Sequence, residues 1–200
     1  MHLPSIAIII TLTLASFTAL RADAISQIVP SCLAGFCLES GNLPTEEAVN
    51  ARFGGSRQES ASWKAIAYCY KFMVADQKTS YGYFEFKMRD STDWQLVTIR
   101  LSQELLCPNA DVVTIKSELS TKEGVRLGSD EGEMKRLYGQ PKYVINQPSE
   151  AVLRDFFSDL SKMNVDVINQ YISDDREDLS SARFYFSNKQ LIGIEISVDE

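Results

Sequence analysis

The sequence predicts an α+β fold of two tandem units, each a short helix followed by a three-stranded antiparallel meander, the second unit carrying an inserted amphipathic helix. Three observations predict it. Two stretches, "GNLPTEEAVNARFGGSR" from Gly41 and "EGVRLGSDEGEMKRLYGQP" from Glu123, each read as a brief helix that halts at an aromatic residue and a glycine, Phe53-Gly54 and Tyr138-Gly139. Behind each stop come three runs in strand pattern. The paired aromatics Phe84 and Phe86 recur as Phe184 and Phe186. An offset of 85 residues carries Gly54 onto Gly139, one of 100 carries Phe84 onto Phe184, and one of 95 carries Ile99 onto Ile194. That drift is what a duplication with loop insertions produces.

The chain opens on an apolar run, Leu3 to Leu20, with Ala22-Asp23-Ala24 supplying the small-x-small pattern that signal peptidase reads. Residues 1–24 are therefore expected to be a signal peptide, although no Lys or Arg precedes the run; a retained N-terminal anchor is the competing reading. Cys32 follows Val29-Pro30-Ser31, which is no lipobox, so lipid anchoring is not expected. Cleavage leaves a first unit at 25–107 and a second at 108–200. Such a product is exported, periplasmic or extracellular, with no stable membrane insertion.

In the first unit Thr45, behind Pro44, is placed to cap a helix whose first turn holds Glu46 and Glu47 and which Gly54-Gly55 ends. "WKAIAYCYKFMV", "YGYFEFKMR" and "WQLVTIRLS" then alternate as strands, joined by the hairpin-like loops "ADQKTS" and "DSTD". The second unit repeats the order. Ser129 or Asp130 caps a helix through Met134, Leu137 and Tyr138, and Pro141 cannot continue it. The strands "DVINQYIS", "ARFYFSN" and "LIGIEISV" follow. Ahead of them Val152, Leu153, Phe156, Phe157, Leu160 and Met163 recur at helical spacing behind Ser149, which predicts an inserted helix of about three to four turns. Between the units a strand is expected at Val112–Ile115.

Charge and cysteine content narrow the function. The formal net charge of −7 opposes binding to nucleic acid or anionic membrane, which needs clustered Lys and Arg. Four cysteines, Cys32, Cys37, Cys69 and Cys107, read in an exported chain as two disulfides with three possible connectivities. Cys32–Cys37 and Cys69–Cys107 is the favoured pairing, since Cys69 lies mid-strand and Cys107 follows a strand, which puts a bridge at the end of neighbouring strands within reach. No C-x-x-C pair is present to suggest zinc or thiol exchange. The one histidine, His2, would leave with the signal peptide, which removes Ser-His-Asp and Cys-His mechanisms and histidine-ligated metals from the mature chain. Neither a cofactor nor a metal is expected.

The tract "GVRLGSDEGEMKRLYGQPKYV", closed by "RFYFSNKQLIGIEISV", resembles a module of small exported bacterial proteins in which a glycine-stopped helix precedes an antiparallel sheet. It is similar to repeats of the β-lactamase-inhibitory-protein-like folds and of the small BamE (SmpA/OmlA) lipoprotein. The residues that carry the likeness are Leu127, Gly128, Ser129, Glu133, Met134, Tyr138, Gly139 and Pro141, with a looser match at Thr45, Glu47, Val49, Phe53 and Gly54. The resemblance implies helix-on-sheet repeats and a protein-binding or envelope-scaffold role without catalysis. The chain departs from it in having no lipid-attachment cysteine and in placing every cysteine ahead of the second unit.

Among candidate sites, the acidic run holding Asp174, Asp175, Glu177 and Asp178 lacks EF-hand spacing and reads as a solvated hairpin loop. Glu85 and Glu195 are the conceivable acid pair for glycoside chemistry, but Glu85, between Phe84 and Phe86, alternates toward solvent. The aromatic set Trp63, Tyr68, Tyr70, Phe72, Tyr81, Tyr83 and Trp94 is richer. Tyr and Trp on an open sheet face compose a binding patch, and the same rings also pack cores. Tyr68, Tyr70 and Tyr83 are the candidate binding face. The expected function is a non-catalytic exported protein that binds another protein through that face or a groove between units. The alternatives are a small histidine-free hydrolase using carboxylates or a Ser-Lys pair, and a purely structural subunit.

Overall fold

A computed structural model describes residues 29–39, 41–55, 58–59, 65–74, 79–89, 93–160, 164–173 and 180–198. The expected signal peptide, Trp63, the acidic residues Asp174, Asp175, Glu177 and Asp178 and the last turn of the expected inserted helix lie outside them. A two-stranded hairpin, β1 (Cys32–Leu33) and β2 (Phe36–Cys37), precedes helix α1 (Glu46–Phe53). Then come β3 (Gln58–Glu59), β4 (Ala65–Val74), β5 (Thr79–Arg89), β6 (Asp93–Ser102) and β7 (Asp111–Ile115). The second half contains α2 (Glu131–Tyr138), β8 (Tyr143–Asn146), α3 (Glu150–Arg154), β9 (Val167–Ile172), β10 (Ser180–Ser187) and β11 (Gln190–Val198).

The expected pair of helix-plus-meander units is corrected by the sheet. One nine-stranded sheet runs β3-β4-β5-β6-β11-β10-β9-β8, with β7 parallel to β4 on the same edge as β3. The fold among the described residues is mostly β, with helices of only eight, eight and five residues. The reason lies at the third strands of the two meanders. β6 and β11 pair antiparallel, Ile99 opposite Ile196 and Leu101 opposite Ile194. Separate meanders would each expose a row of unpaired backbone groups along an apolar edge; joining them satisfies both rows.

Alternation sorts the sheet into two faces. The first carries Ile66, Tyr70 and Phe72 of β4, Phe84 and Phe86 of β5, and Ile194 and Ile196 of β11, all buried in the main core. Helices α1 and α2 lie on it, with Val49 and Met134 fully buried. Thr45 caps α1 by accepting from the Ala48 amide, and Asp130 caps α2 by accepting from the Gly132 amide at 2.7 Å. Gly54 and Gly139 close them at φ 67° and 78°, where a Cβ would be strained.

Contacts beneath the two helices correspond. The Tyr70 hydroxyl donates to the Gly54 carbonyl at 2.6 Å, and Tyr171 donates to the Gly139 carbonyl at 3.2 Å. Tyr68 donates to Glu46 at 2.7 Å, as the Asn169 amide does to Glu131 at 3.1 Å. Each cap also bridges the opening of a third strand, Thr45 to Gln95 and Asp130 to Gln190. Burial works against the Glu131 charge, but hydrogen bonds from Lys135 and Asn169 outweigh it and hold its carboxyl below the usual range. A depressed carboxyl contributes stability above its unfolded pKa and loses it as pH falls through the folded value. Glu131→Gln should therefore destabilise the fold slightly at pH 7, by less than about 1 kcal/mol because its partner Lys135 is partly exposed, and the gap to wild type should close in acid. Thermal scans of both proteins across the acid range check it.

The expected inserted helix of three to four turns is also corrected. Among the described residues of that stretch only Glu150–Arg154 is helical; beyond it Phe156 and Phe157 turn back on the Leu153 carbonyl at 3.0 and 2.8 Å. Asp155, Phe156, Phe157, Ser158 and Asp159 are weak helix formers. The apolar residues are buried all the same: Leu153, Phe156 and Phe157 pack with Ile168 and Tyr185 on the sheet's second face. The disulfides are Cys32–Cys37, which closes the β1–β2 hairpin, and Cys69–Cys107, which ties β4 to the segment after β6. Two disulfides are compatible with an oxidising, exported compartment.

Candidate functional site

The three tyrosines named from the sequence do not share a surface. Tyr68 and Tyr70 are 4% and 0% exposed and face α1, so they belong to the core. Tyr83 points to the second face, opposite Cys69 and Arg100. The small side chains of Ala65, Ala67 and Cys69 lie on that second face, and the rings of Tyr68 and Tyr70 face the helix. Rings suit the helix better here because their hydroxyls reach the helix's two ends and satisfy them.

Register builds one cross-strand row on the second face: Tyr83, Arg100, Glu195, Arg183, Gln170 and Tyr143, from β5, β6, β11, β10, β9 and β8. Glu195 is its centre. The Arg100 Nε donates to Oε2 at 2.7 Å and the Arg183 Nη1 donates to Oε1 at 3.2 Å, and the carboxylate is nearly buried. The Arg100 guanidinium lies over the rings of Tyr83 and Phe156, 5.2 and 5.7 Å from their centroids. Tyr83 donates to Glu85 at 3.1 Å. Burial first, then Glu85, pushes the Tyr83 hydroxyl well above its usual range, with Arg100 opposing; burial and then Glu195 do the same to Tyr185. For Arg183 burial acts against the charge, and Glu195 outweighs it. The Tyr83 and Tyr185 phenols therefore stay protonated and Arg183 stays charged across physiological pH.

The two sides of the row differ. On one, Phe156 and Phe157 cover Tyr185 and press on Gly193, where a Cβ would come within 2.9 Å of the Phe156 ring. On the other lie Glu85, Thr98, Ser197 and Ser181, the two serines hydrogen-bonded at 2.9 Å. The row itself stays accessible at Arg183, whose side chain is 41% exposed, and at Tyr143, 53% exposed.

This arrangement offers ordered guanidinium and phenol groups. It does not assemble the Glu85–Glu195 acid pair: both Glu195 oxygens accept from arginine, and Glu85 accepts from Tyr83. Cys32, Cys37 and Glu39 form the one cluster of metal-ligand type found among the described residues, but its two sulfurs are joined to each other and are not thiolates. Among the described residues no helix is long and apolar enough to cross a membrane. Sequence reasoning missed Arg100, Arg183, Gln170 and Tyr143. The signal was present in Ile99-Arg100-Leu101, Ala182-Arg183-Phe184 and Ile194-Glu195-Ile196, each a single charge between apolar neighbours on a strand. No family model, no curated protein and no solved structure matches the chain.

Proposed function

We propose that this chain is an exported, internally repeated, non-catalytic module that binds another protein through the second face of its sheet. The observation that carries the reading is the row centred on Glu195, where tyrosine and arginine side chains are held in place before any partner arrives. Tyr and Arg dominate the energetics of protein interfaces, and side chains already ordered lose little entropy on binding. Export is supported by the apolar leader and the two disulfides, and internal repetition by the matching contacts under α1 and α2. The resemblance to exported helix-on-sheet repeat proteins points the same way.

The test is affinity capture of the tagged, oxidised chain from the envelope and secreted fractions of its own organism, run beside Arg183→Ala and Tyr143→Ala. One stoichiometric protein partner is expected, its affinity falling roughly tenfold or more in each variant, as hot-spot truncations do. Tyr143→Ala should melt as wild type does, because the ring is exposed, whereas Arg183→Ala takes one of two arginines from the nearly buried Glu195 carboxylate and should melt lower, so capture is compared at a temperature where both variants are folded. A partner retained equally by both variants would remove this face from the account.

A further inference from the structure

A cavity of about 500 Å³ opens at the end of the sheet where β4, β5, β6 and β11 come together, on the helix-covered face. Leu101, Leu119 and Leu127 give it apolar walls, Ser80 and Gln103 stand among its polar groups, and Glu118 is the one charged residue among those described in its lining. The Glu118 carboxylate is paired at 3.5 Å with the exposed Arg126. A volume of this order suits a small organic ligand, and apolar walls with a few polar groups are the usual make-up of such sites.

The roof is built to persist without a ligand. It is the connection between the two halves, and its turn is closed by the Thr121 amide donating to the Val125 carbonyl at 2.8 Å. The buried hydroxyls of Thr121 and Tyr138 lie 2.7 Å apart, and Tyr138 donates to Glu123 at 2.8 Å, so the turn is fixed to α2. The Gly128 amide fixes the far side to the Leu191 carbonyl at 2.7 Å. A cavity held open by its own backbone imposes little ordering cost on what enters it.

We infer that this cavity is a binding site for a small amphiphile, neutral or amine-bearing, with an apolar body against the three leucines and its polar end toward Ser80, Gln103 and Glu118. Glu118 is already paired with Arg126, and no cation stands among the described lining residues: an anionic group would lose hydration there without gaining a partner, whereas a hydroxyl, amide or ammonium can hydrogen-bond Ser80, Gln103 or the Glu118 carboxylate. This site is separate from the proposed protein-binding row, so either can fail without the other.

A matched pair of dyes tests it: N-phenylnaphthylamine, uncharged at neutral pH, and anilinonaphthalene sulfonate, the related skeleton bearing an anion. The oxidised chain should bind the neutral dye saturably with one site per chain, and the sulfonate about tenfold more weakly. Leu127→Trp, which fills the cavity from a half-buried position, should weaken neutral-dye binding by at least about tenfold. Leu119→Trp provides the same test should the first variant not fold. Glu118→Gln should narrow the gap between the dyes. No saturable binding, or binding indifferent to both tryptophan substitutions, overturns the site; a gap unchanged in Glu118→Gln overturns the charge assignment.

Discussion

Tyr70→Ala is expected to cost about 3–5 kcal/mol of folding stability, the range for removing a fully buried ring. Tyr70 packs against Phe53, Phe84 and Phe72, and stacks beside Tyr68, so truncation opens a void where α1 meets the sheet. It also strips the Gly54 carbonyl of its 2.6 Å partner. Tyr70→Phe separates the two contributions: it keeps the ring and should cost about 1 kcal/mol, the value of one hydrogen bond. Urea denaturation of the three proteins measures both. Wild-type stability in the alanine variant would mean that Tyr70 is not in the core.

Replacing Cys69 and Cys107 together by alanine is expected to cost about 4 kcal/mol, the loop-closure value for the 38-residue separation of the pair. Cys32–Cys37 spans only 5 residues, and its removal should cost about half as much on the same model. The larger loss has a structural address, because Cys107 packs on the cluster of Leu106, Phe156 and Tyr185 that covers part of the second face. Denaturant midpoints of the two double-alanine variants, compared with the fully reduced wild type, should rank the bridges in that order. Equal losses would contradict the loop-length account.

Strands and helix stops were legible because each is decided locally. A single charge between apolar neighbours has one way to face in a half-buried strand, and glycine after an aromatic ends a helix cheaply. The joining of the two meanders was not legible. Arg100 and Glu195 lie 95 residues apart, and nothing near either residue names the other as its partner. The same blindness placed Tyr68 and Tyr70 on an open surface. Alternation shows that they share a face, but whether a helix covers that face depends on where α1 lands, and α1 lands where two tyrosine hydroxyls reach Glu46 and Gly54. The inserted helix failed for a third reason. Its apolar spacing suits a helix, yet Phe156 and Phe157 reach the sheet from a turn, and packing outweighs a periodicity carried by poor helix formers. For the candidate site, Tyr83 and Glu195 were visible as residues, but the row that contains them exists only in the paired sheet.

Amide hydrogen exchange of the oxidised chain, alone and with its captured partner, shows which face of the sheet binds. Binding through the row should add protection centred on the strands that carry it, around Arg100, Arg183 and Gln170, with α1 and α2 unchanged. Added protection confined to α1, α2 and the connection between the halves would contradict it, and would place binding on the helix-covered side of the sheet.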